Sequence, residues 1–246
     1  MNAVTPILSI VVPVFNERAN LAPLLEEIET VFSELAHEVL AVDDGSTDGS
    51  LEELDRLSND YDELRVVSLE AHAGQSAALA AGFDAARGQF VLTMDADGQN
   101  DPADGLRLWE VVCGPGSATA AVGYRVQRAD SRWKRLQSRV ANLGRDLITG
   151  DAVKDTGCSL KVMPRSALAR IPRFRGMHRF LPTLLRWDGQ EVLEIGVSHR
   201  RRWSGRSKYG AWSRLWVGIR DAFGVRWLLR RRLVYRTREN RRGEKG

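Results

Sequence analysis

Asp95-Ala96-Asp97-Gly98-Gln99 carries the clearest chemistry in this chain. The residues before it, Gln89-Phe90-Val91-Leu92-Thr93-Met94, read as a buried strand. Along an extended backbone, alternate side chains share one face. Asp95, Asp97 and Gln99 are therefore expected to converge on one hard divalent cation, which prefers oxygen ligands. At the carboxyl end of a parallel sheet, where ligands of open α/β folds sit, such a set could hold a metal–diphosphate complex. The same residues also suit an acidic turn capping a helix that starts near Pro102.

Two earlier segments offer similar chemistry. Pro13-Val14-Phe15-Asn16-Glu17 follows a strand, where a nucleotide base could rest, or it forms a turn with Asn16 as helix N-cap. In Val42-Asp43-Asp44-Gly45-Ser46, one aspartate can accept a hydrogen bond from a base N–H, while Ser46 or Thr47 can cap the next helix. Three polar strand ends at one sheet edge define a nucleotide site that lacks the glycine fingerprint of dinucleotide binders. No Gly-x-x-x-x-Gly-Lys-Ser/Thr is present, which argues against a P-loop hydrolase.

The elements that must position these residues follow from hydrophobic patterning. Leu8 to Pro13, Val39 to Val42, Leu64 to Leu69 and Phe90 to Met94 read as strands. Between them lie helical patterns: one through Leu21, Leu24, Leu25, Ile28 and Phe32, one through Leu51, Leu54 and Leu57, and a small-residue helix from Gly74 to Arg87. This alternation predicts a parallel, doubly wound sheet. After about residue 115 the rhythm changes. Strands are expected over Ala118 to Val122, Leu160 to Met163 and Glu191 to Val197; helices over Ser131 to Thr149, His178 to Trp187 and Gly210 to Leu229. Beyond Arg230 the charge density predicts a frayed end.

Of 246 residues, 43% are hydrophobic, enough for a substantial core. No run of about 18 apolar residues exists, so no transmembrane helix is expected. The N-terminus has no secretory pattern, and the two cysteines, Cys113 and Cys158, suit a reducing cytoplasm. The net charge of +4 conceals an asymmetry: residues 200–246 carry 16 Lys and Arg against 3 Asp and Glu. An acidic body with a basic tail implies an anionic partner, for which a membrane surface, nucleic acid and a phosphorylated substrate all qualify. The tail has no motif for base readout, which argues against nucleic acid.

The chain resembles the family 2 glycosyltransferases, and within them the dolichol-phosphate mannose synthase group. The likeness rests on Pro13-x-Phe15-Asn16-Glu17, Val42-Asp43-Asp44-Gly45-Ser46, Gly74-Gln75-Ser76 with Ala81-Gly82-Phe83, and Asp95-Ala96-Asp97-x-Gln99. It continues in Gly123-Tyr124-Arg125, Ser138-Arg139-x-Ala141-Asn142, Asp155-Thr156-Gly157-Cys158 and Arg202-x-x-Gly205-x-Ser207-Lys208-Tyr209-Gly210. Phe15 stands where the family often has Tyr, and Thr156-Gly157-Cys158 stands for the commoner Ser-Gly-Phe at the acceptor-side wall.

That resemblance implies a GT-A α/β fold over residues 1–210 and a basic, Trp/Arg-rich extension over 211–246. It implies a nucleotide-sugar donor (GDP- or UDP-hexose, of mannose or glucose type), a polyprenyl phosphate acceptor, and Mg²⁺ or Mn²⁺. Pro13, Phe15, Glu17, Val42 and Asp44 would surround the nucleoside; the pattern favours Asp44 over Asp43 without separating them. Asp95 and Ala96 would lie beside the ribose and phosphates, and Asp97 and Gln99 would ligate the metal with Asp95 close by. Arg125 and Arg202 would contact donor or acceptor phosphate, with Lys134, Ser138, Ser207 and Lys208 as further acceptor-phosphate candidates.

The expected reaction is a single inverting displacement in which the lipid phosphate, already anionic, needs no strong base. The expected location is the cytoplasmic face of a membrane, with an integral-membrane partner taking the product. His72, His178 and His199 read as surface or local hydrogen-bonding residues. Trp212, Leu215, Trp216, Ile219 and Phe223 share a helical face beside Arg214, Arg220 and Arg226, which suits either the lipid headgroup layer or packing on the sheet. Two other readings stay open: a saccharide or other hydroxyl acceptor, and a non-catalytic anion- or RNA-binding protein.

Overall fold

The computed structural model describes residues 5–114, 119–126, 150–203 and 211–231, with backbone alone for 211–217 and 219. The N-terminal half alternates strands and helices as patterned: β1 Leu8–Val14, α1 Arg18–Phe32, β2 His37–Asp43, α2 Ser50–Leu57, β3 Leu64–Ser68, α3 Gln75–Ala85, β4 Phe90–Thr93 and α4 Pro102–Cys113. There follow β5 Ala120–Arg125, β6 Lys161–Pro164, α5 Arg165–Leu168, a 3₁₀ turn at Met177–Arg179, α6 Leu181–Trp187, β7 Val192–Val197 and α7 Ala211–Arg230. The predicted helix over 131–149 and the predicted frayed end lie outside the described residues.

The seven strands form one sheet in the order β3-β2-β1-β4-β6-β5-β7. It is mixed rather than wholly parallel: β6 runs antiparallel to both β4 and β5. The chain leaves β1 toward β2 and β3 on one side, then returns to place β4 on the other side of β1. A crevice opens beyond the strand ends at such a reversal of order.

Both faces of the sheet are covered, so the central strands are apolar throughout rather than alternating. Ile10, Val12 and Val39 pack beneath α1, α2 and α4 through Leu24, Ile28, Leu54 and Leu108. Val11, Leu40 and Val42 pack on the other face against Ala78, Phe83 and Leu184 of α3 and α6. Ala222 and Val225 of α7 join that second cluster. Phe223, placed by the sequence on the apolar stripe, is instead 59% exposed, because the packed face of α7 runs through Ala222 and Val225. Both cysteines are free.

Candidate functional site

A cavity of about 200 Å³ opens at the carboxyl ends of β1, β2 and β4. Pro13 contributes from the end of β1, Phe15 and Glu17 from beyond it, Asp44 from beyond β2, and Asp95, Ala96 and Asp97 from beyond β4. His72, Gln75 and Ala78 contribute from the β3–α3 connection and the start of α3, and Arg202 comes from far along the chain.

The turns after β1 and β2 are stitched together. Asn16 adopts a left-handed conformation (φ 54°), which Asn tolerates better than most residues. Its backbone N–H donates to Ser46 Oγ at 2.9 Å, and its side-chain oxygen accepts from the Thr47 N–H at 2.7 Å. The Glu17 N–H donates to Ser50 Oγ and the Arg18 N–H to Asp48 Oδ2. The expected caps therefore shift. Glu17, not Asn16, precedes α1, and Gly49, not Ser46 or Thr47, precedes α2. The polar side chains of both turns tie one strand end to the other instead.

The two aspartates after β2 part company. Asp43 Oδ2 accepts from the Gly45 and Ser46 N–H groups at 3.1 Å, so Asp43 builds its own turn. Asp44 lines the cavity; its carboxylate accepts from the Ala73 and Gly74 N–H groups, and His72 Nδ1 lies 2.9 Å from its Oδ2 and 3.3 Å from its backbone carbonyl. Gly45 (φ +70°) has to be glycine here: a Cβ would lie 2.7 Å from the His72 nitrogen. The His72 ring stacks on Phe15 with centroids 4.0 Å apart.

Beyond β4, the Asp95 N–H donates to Asn100 Oδ1 at 3.1 Å, and Asp95 Oδ1 accepts from Gln75 Nε2 at 2.9 Å. Burial, followed by the neighbouring Asp97 charge, pushes the Asp95 carboxyl above the ordinary carboxylate range, against the pull of Ser159, Lys161 and Arg125. Arg202 spans the cavity. Its Nη2 donates to Asp97 Oδ2 at 2.7 Å and its Nη1 to Glu17 Oε1 at 3.0 Å.

Arg202 reaches that position because residues 198–203 strap the stretch beyond β4. The Ser198 N–H and hydroxyl both donate to Asp104 Oδ2, and the Arg200 N–H donates to the Gln99 carbonyl. Trp203 covers Gly98, which sits at φ +73° and has no room for a Cβ beneath the indole.

The glycosyl transferase family 2 model matches residues 9–172. The chain belongs to that family. Over 214 residues it is 39% identical to an undecaprenyl-phosphate 4-deoxy-4-formamido-L-arabinose transferase of Pseudomonas aeruginosa, a match covering 83% of this chain and 61% of the relative. The chain thus spans about three fifths of that relative's length. It is 36% identical to a dodecaprenyl-phosphate galacturonate synthase of Rhizobium johnstonii, covering 91% of this chain and 67% of the relative.

Among solved structures, glucosyl-3-phosphoglycerate synthase of Mycobacterium tuberculosis in complex with phosphoglyceric acid superposes with a TM-score of 0.68 at 19% identity, covering 89% of this chain and 81% of that one. The same enzyme with Mn²⁺, uridine diphosphate and glucosyl-3-phosphoglycerate gives a TM-score of 0.66 at 18% identity, covering 91% of this chain and 80% of that one. The fold of this family 2 chain is GT-A.

Of the residues expected at the site, Pro13, Phe15, Glu17, Asp44, Asp95, Ala96, Asp97 and Arg202 share the cavity. Val42 does not; it is fully buried in the core. Gln99 does not converge with the aspartates. The backbone turns at Gly98, so the alternation of an extended strand is lost, and the Gln99 amide donates to the Arg200 carbonyl and meets His199 Nε2. Arg125 is held outside the cavity by Asp155, through pairs of 2.7 and 2.9 Å. Cys158 is buried in the core and forms no cavity wall. Lys134, Ser138, Ser207 and Lys208 lie outside the described residues.

His72 and Gln75 were missed as cavity residues. The signal for His72 was positional: it follows β3 as Asp44 follows β2, at the one parallel strand end left without a role. His178, read as a local partner, does hydrogen-bond with Ser76 Oγ at 2.8 Å, and burial lowers it to about 3.

Whether these residues suit a divalent cation turns on charge. Among the described residues, four carboxylates (Glu17, Asp44, Asp95 and Asp97) line the cavity against one guanidinium, that of Arg202. A diphosphate entering alone would meet net repulsion. Among the described residues no group of three or more His, Cys, Asp or Glu forms a protein-only metal cage. Magnesium-type cations commonly take one or two carboxylates and complete their shell with water and substrate phosphate. Asp95 and Asp97 fit a cation held jointly with a diphosphate.

Proposed function

We propose that this family 2 chain is an inverting glycosyltransferase that moves a sugar from a nucleoside diphosphate donor to a polyprenyl phosphate. The observation that carries the reading is the gathering of Asp44, Asp95, Asp97, Glu17 and Arg202 on one cavity at the switch point between β1 and β4. The relatives named for undecaprenyl- and dodecaprenyl-phosphate chemistry support the acceptor class. They are named for a formamido-arabinose and a galacturonate, so the mannose- or glucose-type sugar expected from the motifs is not singled out.

On this reading Phe15 and His72 wall the nucleoside end, and Asp95 and Asp97 are the residues that would hold Mg²⁺ or Mn²⁺. When bound, the cation supplies Lewis-acid neutralisation of the diphosphate leaving group. Gln75 and Asn100 hold Asp95 at its side chain and backbone, which fixes the carboxylate before donor arrives. Arg202 is held by Asp97 and Glu17; released from them, its guanidinium can clamp a phosphate with two parallel N–H groups. The acceptor phosphomonoester is anionic at neutral pH and attacks without a general base. That agrees with the histidines near the cavity. His72 stands at the nucleoside end with its Nδ1 on Asp44, and His178 is kept neutral by burial.

Membrane contact belongs to the same proposal. Phe223 and Trp227, one turn apart on α7, are 59% and 56% exposed, and Arg231 lies over the Trp227 ring at 4.8 Å. Aromatics flanked by arginine suit the headgroup layer of an anionic, cytoplasmic leaflet. No helix among the described residues is long and apolar enough to cross a membrane. A division into a catalytic unit over 1–210 and a basic extension over 211–246 follows from this reading, as does an integral-membrane partner for the lipid product.

The test is a donor panel with Mn²⁺ and polyprenyl phosphate, read by mass spectrometry of the lipid fraction, with wild type beside Asp97→Ala. Transfer by wild type and its loss in a folded Asp97→Ala protein are expected. Undiminished transfer by the variant would falsify the site.

A further inference from the structure

We infer that His72 selects the nucleobase, its Nε2 accepting the ring N–H that uracil and guanine carry beside a carbonyl, with Asp44 as the residue that orients it. This rests on the reading of the cavity as a nucleoside diphosphate site. An aspartate after β2 was the expected acceptor; the cavity sets a histidine beside the one that reaches it. Asp43 points its Oδ2 into its own turn and does not line the cavity.

Asp44 does line the cavity, with part of its carboxylate already bonded to backbone. Oδ1 accepts from the Ala73 N–H at 2.8 Å and the Gly74 N–H at 3.1 Å. Oδ2 accepts from the same Gly74 N–H at 2.9 Å and lies 2.9 Å from His72 Nδ1. Two backbone N–H groups therefore bond this carboxylate, and the His72 ring stands beside its Oδ2.

The same network defines what His72 presents. A carboxylate is acceptor-only, so the contact at Nδ1 assigns the proton to that nitrogen. In the neutral ring the other nitrogen, Nε2, is then an acceptor. The Asp44 carbonyl, 3.3 Å from Nδ1, favours the same tautomer. Nε2 makes no hydrogen bond among the described residues. The ring is fixed on two sides, by Asp44 and by the stack on Phe15 at 4.0 Å and 24°. It lines the cavity with its side chain 43% exposed, so its free edge is open to a ligand. An acceptor at that edge favours uracil (N3–H) and guanine (N1–H). Cytosine N3 and adenine N1 are themselves acceptors and would face it unpaired.

The experiment is calorimetric binding of UDP, GDP, CDP and ADP to the full chain with Mn²⁺, together with the ring-N-methyl form of whichever of UDP and GDP binds better. Wild type is expected to prefer UDP or GDP to CDP and ADP. His72→Phe keeps an aromatic stack and loses the acceptor; its affinity for the preferred nucleotide should fall about tenfold, the scale of one hydrogen bond to a group otherwise left unpaired. The methylated nucleotide should bind wild type and His72→Phe alike, and His72→Gln, which keeps an acceptor oxygen, should retain the preference. An unchanged preference in His72→Phe overturns the inference while leaving the nucleotide site standing. So does a wild-type preference for CDP or ADP, the mark of a protonated ring. If none of the four nucleotides binds wild type, the nucleotide reading itself falls and takes this inference with it.

Discussion

Replacing Arg202 with alanine should move cation binding and sugar transfer in opposite directions. The guanidinium pairs with Asp97 at 2.7 Å and with Glu17 at 3.0 Å, and its side chain is 27% exposed. A cation that uses Asp97 must first displace that arm. Two unit charges about 4 Å apart interact by about 4 kcal/mol at an effective dielectric near 20, which sets a ceiling. Partial exposure pulls the value toward the range of about 0–1 kcal/mol found for solvent-exposed pairs. Taking about 1–2 kcal/mol for the displaced contact, Arg202→Ala should bind Mn²⁺ about 5- to 30-fold more tightly in the absence of nucleotide. Transfer to polyprenyl phosphate should fall, because the phosphate clamp is gone. Electron paramagnetic resonance titration of free Mn²⁺ measures the first effect and lipid product formation the second. Glu17→Gln removes one cavity carboxylate and leaves Arg202 with Asp97 as its partner, so it should not tighten Mn²⁺ binding. Equal or weaker Mn²⁺ binding by Arg202→Ala would refute the competition.

Three other perturbations have a defined sign. Burial lowers His178 from 6.5 to about 3, so the fold keeps it neutral while the unfolded chain takes up a proton below 6.5. Stability is therefore lost as pH falls from 6.5 toward 3, by about 2 kcal/mol at pH 5 from this residue alone. Urea midpoints at pH 7 and pH 5 should converge in His178→Gln, and parallel curves for the two proteins would count against the burial argument. At Gly82 of α3 a Cβ would come within 2.4 Å of Val11 Cγ1 and 3.2 Å of Val42 Cγ2. Gly82→Ala should thus destabilise by about 1–3 kcal/mol through overpacking despite alanine's better helix propensity; a raised melting temperature in scanning fluorimetry would contradict this. Phe223→Ala with Trp227→Ala should weaken sedimentation with anionic vesicles while leaving Mn²⁺ binding unchanged, and vesicle binding equal to wild type would remove α7 from the proposed membrane contact.

The sequence by itself determined β1 to β4 and the helices between them, because apolar runs of strand length and helical spacing are local properties. It also determined which strand ends carry carboxylates, and so brought Glu17, Asp44, Asp95 and Asp97 to one rim. Motif resemblance added Arg202, which no periodicity could have placed beside residues 105 and 185 positions earlier.

Tertiary structure decided the rest, because it depends on which distant groups meet. That β6 inserts antiparallel between β4 and β5 is a matter of long-range pairing. A single left-handed glycine, Gly98, turned Gln99 toward His199 and Arg200 and dissolved the three-ligand set that an extended strand would have made. Asp44 looks available in the sequence. In the fold it is partly occupied, because the backbone about 30 residues onward brings two N–H groups to its carboxylate and a histidine beside it. Residue type and spacing state what a side chain is able to do; the neighbours that fill its hydrogen-bonding sites are chosen only when the chain closes on itself.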